Sequence, residues 1–127
     1  MPARAHLILY VADQSAAVAF WQRVLGTAPV LDVPGMAEFA LTDRTVLGLM
    51  PEAGIRSLLG PGLPDPAQAR GVPRAEVYLV VDDAPAHHRR ALAAGATELS
   101  PVSPRSWGAH VGYSLCPDGH VVAFAGA

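Results

Sequence analysis

Residues 6–26 read HLILYVADQSAAVAFWQRVLG, and residues 76–95 read EVYLVVDDAPAHHRRALAAG. Each begins with a short apolar run rich in β-formers and continues through aspartate into helical spacing that stops at glycine. The first predicts a strand over 6–11, a cap at Asp13 or Ser15, and a helix to about Leu25 ended by Gly26. Ala17, Val18, Trp21, Val24 and Leu25 fall on one face of that helix. The second predicts a strand over 77–81, a cap at Asp82 or Asp83, Pro85 in the first turn, and closure at Gly95.

The correspondence continues downstream. FALTDRTVLGLM (39–50) and YSLCPDGHVVAFA (113–125) each read as strand, tight turn, strand, with Pro, Asp and Gly well placed for a β-turn in CPDG. The chain is therefore a tandem duplication of a strand–helix–strand–strand(–strand) unit. Each copy is too small to bury its own sheet, so the two are expected to share a core within a single domain over 1–127. Module 1 spans 1–52, a connection 53–73, and module 2 74–127. The connection contains GIRSLLGPGLPDPAQARGVP, which reads as an irregular loop. Through Ile55, Leu58 and Leu59 it suits either a lid or a strap on a dimer partner.

Composition narrows the function classes. Hydrophobic residues make up 51% and aromatics 6%, so the core must be built from Ala, Val and Leu rather than large rings. A net charge of −2 gives no electrostatic footprint for nucleic acid. All nine basic residues are Arg, which excludes lysine Schiff-base chemistry and a lysine-bearing phosphate loop. The one cysteine, Cys116, cannot form an internal disulfide and lacks the neighbours that would activate it, so a passive thiol is expected. The longest apolar run, LILYVA, is broken by Asp13, so no membrane span and no signal peptide are expected, and the cytoplasm is the default location.

The motifs H-x-x-L-x-V-x-D, F-W-x-x-V-L-G, D-D with G-A downstream, W-G, and P-D-G-H-V-V-A-F together resemble the vicinal-oxygen-chelate superfamily. That group contains glyoxalase I, extradiol dioxygenases, and fosfomycin- and bleomycin-resistance proteins. The resemblance implies an α+β fold of tandem βαβββ modules whose mixed sheet curls around a cavity, completed in a homodimer. It also implies metal ligands on the first and last strands of each module, at His6, Gly48, Glu76 and Ala123. Glycine and alanine donate nothing, so two of the four positions are lost and whether the chain is an enzyme stays open.

Strand alternation places His6, Ile8 and Tyr10 on one face and Leu7, Leu9 and Val11 on the other. Glu76, Tyr78 and Val80 likewise oppose Val77, Leu79 and Val81. The aliphatic faces suit the helices, so His6 and Glu76 are expected to line the cavity, as an acid–base pair or as a structural pair left after loss of the metal. Tyr10 and Tyr78 are candidate hydrogen-bond donors to a ligand, and Met50 adds apolar surface. Trp107 either stacks on a planar ligand or packs on its own loop, with Arg105 nearby for an anion. His110 alternates with Gly112 and Ser114 and is the candidate to reach the cavity as a third ligand. His87 and His88 point about 100° apart on a helix and, with Arg89 and Arg90, read as a solvated face.

These readings predict a protein that binds a small, partly apolar organic molecule, with no obligatory cofactor and no nucleic-acid or membrane partner. The alternative is a lyase, isomerase or dioxygenase of the glyoxalase type that uses a divalent metal on His6 and Glu76.

Overall fold

The structure, a computed structural model, describes residues 1–126. Module 1 comprises β1 (Ala5–Val11), α1 (Gln14–Leu25), β2 (Leu31–Val33), β3 (Met36–Thr42) and β4 (Thr45–Pro51). Module 2 repeats the order as β5 (Glu76–Val81), α3 (Ala84–Ala93), β6 (Thr97–Pro104), β7 (His110–Leu115) and β8 (Val121–Gly126). The connection is not irregular throughout. It carries α2 (Glu52–Leu59), anchored by the buried side chain of Ile55, and a 3-10 turn over Pro66–Ala69. Leu58 and Leu59 stay exposed.

Each module forms its own four-stranded mixed sheet, ordered β1-β4-β3-β2 and β5-β8-β7-β6. The first and last strands of a module pair in parallel, and the others antiparallel. The chain divides into two compact units, residues 1–22 with 26–69, and residues 23–25 with 70 onward. Among the described residues, no helix is long and apolar enough to cross a membrane.

The two helix starts use the same device. Asp13 accepts a hydrogen bond from the Ala16 backbone N–H at 2.9 Å, and Asp83 accepts one from Ala86 at 3.0 Å. Each carboxylate satisfies a donor that the first helical turn leaves open. Gly26 ends α1 at φ 74°, a left-handed conformation that costs glycine nothing, and its N–H returns to the Gln22 carbonyl. The Gln14 amide then ties α1 to the β2–β3 turn. It donates to Asp32 Oδ1 and the Val33 carbonyl, and its oxygen accepts from Gly35 N–H.

In module 2, α3 packs across all four strands of its sheet. His88 is not on a solvated face, as the sequence suggested. It is buried, with Nε2 2.8 Å from Glu98 Oε2, while His87 lies against the Phe124 ring. Only Arg89 and Arg90 of that quartet are exposed. Helical periodicity turns His88 onto the same side as Ala84 and Ala91, and Gly112 beneath it leaves the room a ring needs.

Candidate functional site

Strand register decides which side chains share a face. In module 1, His6, Ile8 and Tyr10 stand opposite Val46, Gly48 and Met50 of β4, and Glu38 and Ala40 of β3 stand opposite Gly48 and Val46. These residues therefore share one face. The reverse face carries Leu9, Val11, Leu47, Leu49, Ala37 and Phe39, all buried. His6 meets a carboxylate that the sequence reading did not single out: its Nδ1 lies 3.3 Å from Glu38 Oε2, with the side chains 36% and 19% exposed. The signal was present in MAEFALT, where Ala37 and Phe39 face inward and so turn Glu38 outward. Met50 lies on this face at the end of β4, its methyl carbon 3.8 Å from where a Cβ on Gly54 of α2 would stand.

In module 2, Glu76, Tyr78 and Val80 stand opposite Val121, Ala123 and Ala125, which in turn stand opposite Leu115, Tyr113 and Val111. Tyr113 thus joins Glu76 and Tyr78 on one face, packing with Ala109 against Val111, Ala123 and Ala125. Burial holds the Tyr113 phenol above the ordinary tyrosine range, Glu76 adds to this, Arg105 opposes it and Tyr78 adds again. His110 is not on that face. It alternates with Gly112 and Ser114, as the sequence indicates, but this row pairs with Phe124 and Val122 on the side that α3 covers. The parity of the antiparallel register, which alternation alone does not give, is the reason.

The turn between β6 and β7 brings in Arg105 and Trp107. Arg105 Nε donates to the Val111 carbonyl, and Nη2 donates to the carbonyls of Val111 and Pro101 and to Ser100 Oγ. Its guanidinium carbon sits 5.1 Å from the centre of the Tyr113 ring. Most of this arginine is therefore spent on holding the turn and the edge strand, rather than held out for an anion. Trp107 is 58% exposed and its Nε1–H donates to the Tyr78 hydroxyl at 3.3 Å.

Both positions that the resemblance empties of ligands are capped by neighbours. A Cβ on Gly48 would lie 3.0 Å from Ile8 Cγ1 and 3.5 Å from Met36 Sδ. Ala123 is fully buried in the cluster against which Tyr113 packs. Among the described residues, no three His, Cys, Asp or Glu side chains come together. His6 with Glu38 supplies two donors, one fewer than a catalytic zinc usually takes. This donor set does not fit the divalent ion that the superfamily often uses.

Paired βαβββ modules with this strand order define a vicinal-oxygen-chelate protein. The chain belongs to the glyoxalase-like domain family, whose sequence profile matches residues 6–124. Solved structures of similar fold include a glyoxalase-related enzyme from Fulvimarina pelagi, at 23% identity and TM-score 0.84 over 100% of this chain and 89% of that one. A glyoxalase/bleomycin resistance protein/dioxygenase from Nocardioides gives 25% and 0.76 over 99% and 83%. A glyoxalase/bleomycin resistance protein/dioxygenase family enzyme from Burkholderia phytofirmans gives 19% and 0.79 over 95% of both. No curated protein sequence matches the chain.

Proposed function

We propose that this glyoxalase-like protein binds a small, planar, partly apolar organic molecule on the Tyr78 face of the second sheet, without an obligatory metal. The observation that carries the reading is Trp107: a large ring, mostly exposed and held by Tyr78 beside a buried apolar floor of Val111, Ala123 and Ala125. An exposed aromatic with a tethered polar edge offers stacking area with little rotamer entropy left to lose. Apolar lining with a few placed polar groups is the common pattern of small-molecule sites. On this reading residues 1–127 act as one domain, two copies associate as a homodimer, and the protein works in the cytoplasm.

Trp21 is buried, so quenching of the exposed indole by a bound aromatic reads out Trp107. Titration with coumarin should quench the emission saturably, and Trp107→Ala should abolish the saturable part. A purely linear response up to millimolar coumarin, and the same for 1-acetonaphthone, would overturn the reading. Sedimentation equilibrium tests the dimer.

The contact between His6 Nδ1 and Glu38 favours a second, catalytic reading. A histidine with one nitrogen held by a carboxylate presents the other as a general base. A screen for hemithioacetal isomerisation, a proton transfer that a general base can effect, tests it, with His6→Ala as the control that must lose any activity found.

A further inference from the structure

The indole N–H of tryptophan is a donor only, so in its contact with Trp107 the Tyr78 oxygen must accept. The Tyr78 hydrogen is thereby committed to another direction. Among the described residues no acceptor receives it, although Tyr78 is 38% exposed on the face just described. A hydroxyl that already accepts one hydrogen bond is polarised and becomes a better donor in the next. Tyr113 stands opposite Ala123 from the other side, its phenol held above the ordinary tyrosine range by burial and then by Glu76, with Arg105 opposing. Glu76, two residues along the strand, disfavours an anionic ligand next to Tyr78. The Arg105 charge faces the Tyr113 ring, and two of its three nitrogens are engaged in the turn. The face therefore offers a directed donor, an aromatic platform, and no strong demand for charge.

We propose that Tyr78 is the hydrogen-bond donor to the ligand and Trp107 its positioning residue, so that the face selects planar aromatic molecules bearing a neutral acceptor oxygen, an aryl ketone or ring carbonyl. This rests on the reading that the Tyr78 face takes the ligand. Trp107 then has two separable jobs, stacking through its ring and orienting Tyr78 through its N–H. Replacement by phenylalanine keeps much of the first and removes the second.

The test compares 1-acetonaphthone with 1-ethylnaphthalene, which differ by a carbonyl in place of a methylene, by equilibrium dialysis. Wild-type protein should bind the ketone about five- to tenfold more tightly, the value of one hydrogen bond. Tyr78→Phe should bring that ratio close to one with the affinity for 1-ethylnaphthalene held within about twofold. Trp107→Phe should lower the ratio while Tyr78 remains, an effect that simple loss of stacking cannot give because stacking weakens both ligands alike. The unfolding midpoint of each variant shows that it is folded. A ketone preference that survives Tyr78→Phe, or equal binding of both probes to wild type, overturns this inference and leaves the aromatic face standing. Failure of both probes to bind wild-type protein removes the face itself and the inference with it.

Discussion

Glu38 Oε2 lies 3.3 Å from His6 Nδ1, and the strand between them contributes only glycine, Gly48, at the level of Glu38. A carboxylate from β3 has thus come to stand beside the histidine of β1, at the one level of this face, Gly48, where β4 offers no side chain. The apolar neighbours Ile8 and Met36 close over the gap.

That packing leaves no room for a third ligand at Gly48 unless Ile8 is cut back. Gly48→Glu alone should cost about 1–3 kcal/mol through crowding against Ile8. It should gain nothing in unfolding midpoint from added Ni²⁺. Combined with Ile8→Ala, the introduced carboxylate can join His6 and Glu38, and Ni²⁺ should raise the midpoint by several degrees. Adding His6→Ala should remove the gain. A Ni²⁺ shift in the single variant equal to that of the double would contradict the packing argument.

His88 and Glu98 should respond unequally to truncation. The His88 side chain is 5% exposed, and its Nδ1 is buried with no partner among the described residues, whereas the Glu98 side chain is 44% exposed. Glu98→Ala strands a buried ring with both nitrogens unsatisfied and should cost about 1–3 kcal/mol. His88→Leu removes the orphan atom and frees a carboxylate that water can reach, so it should cost less than Glu98→Ala. Urea unfolding of the two variants checks the order, and the reverse ranking refutes it.

The caps of α1 and α3 are chemically alike, and their loss should cost alike. Asp13→Ala and Asp83→Ala should each remove about 1 kcal/mol, with Asn in either place restoring most of it. Chemical denaturation with the slope held common resolves a difference of that size. An uncapped Asp83 variant that matches wild type would mean that α3 is held by its packing alone.

Stability should fall on the alkaline side. Burial raises the Cys116 thiol above its ordinary value of 9.0, with backbone N–H groups of His120 and then Asp118 drawing it partly back, and burial likewise raises Tyr113 above 10.0. A group raised in the folded state contributes stability that is complete below its unfolded pKa and is lost as pH rises towards the folded value. The urea midpoint should therefore hold steady up to about pH 8 and decline above about pH 9. Cys116→Ala should flatten the first part of the decline. An identical profile in that variant would assign the loss to other groups.

The duplicated architecture was legible because it is written twice in local signals: apolar runs, aspartate caps and closing glycines. The face carrying His6 and Tyr10 in module 1, and that carrying Tyr78 in module 2, each followed from alternation within a single strand. What alternation does not carry is the pairing between strands. Glu38 reaches His6 only through the register of β3 on β4, which shifts between Ala40 and Thr42. Tyr113 shares the face of Tyr78, and His110 does not, because Tyr113 rather than Gly112 pairs with Ala123. The burial of His88 needed a further non-local fact, that α3 crosses Gly112, where a Cβ would come 2.8 Å from the imidazole Nδ1. Local chemistry specified the elements, and partners distant in sequence chose the site.

The wiring of the sheets also sets an order of assembly. In both modules the last strand made is an inner strand, and among the described residues the first strand has no other partner: β1 pairs with β4, and β5 with β8. Antiparallel neighbours joined by a turn can zip locally, whereas the parallel pair must wait for the whole crossover between its strands to be translated and collapsed. During synthesis the strand bearing Glu76 and Tyr78 leaves the ribosome well before β8, and stays unpaired until the hairpin of β7 and β8 offers it an edge. The face on which we propose ligand binding is in this sense the last thing a nascent module completes.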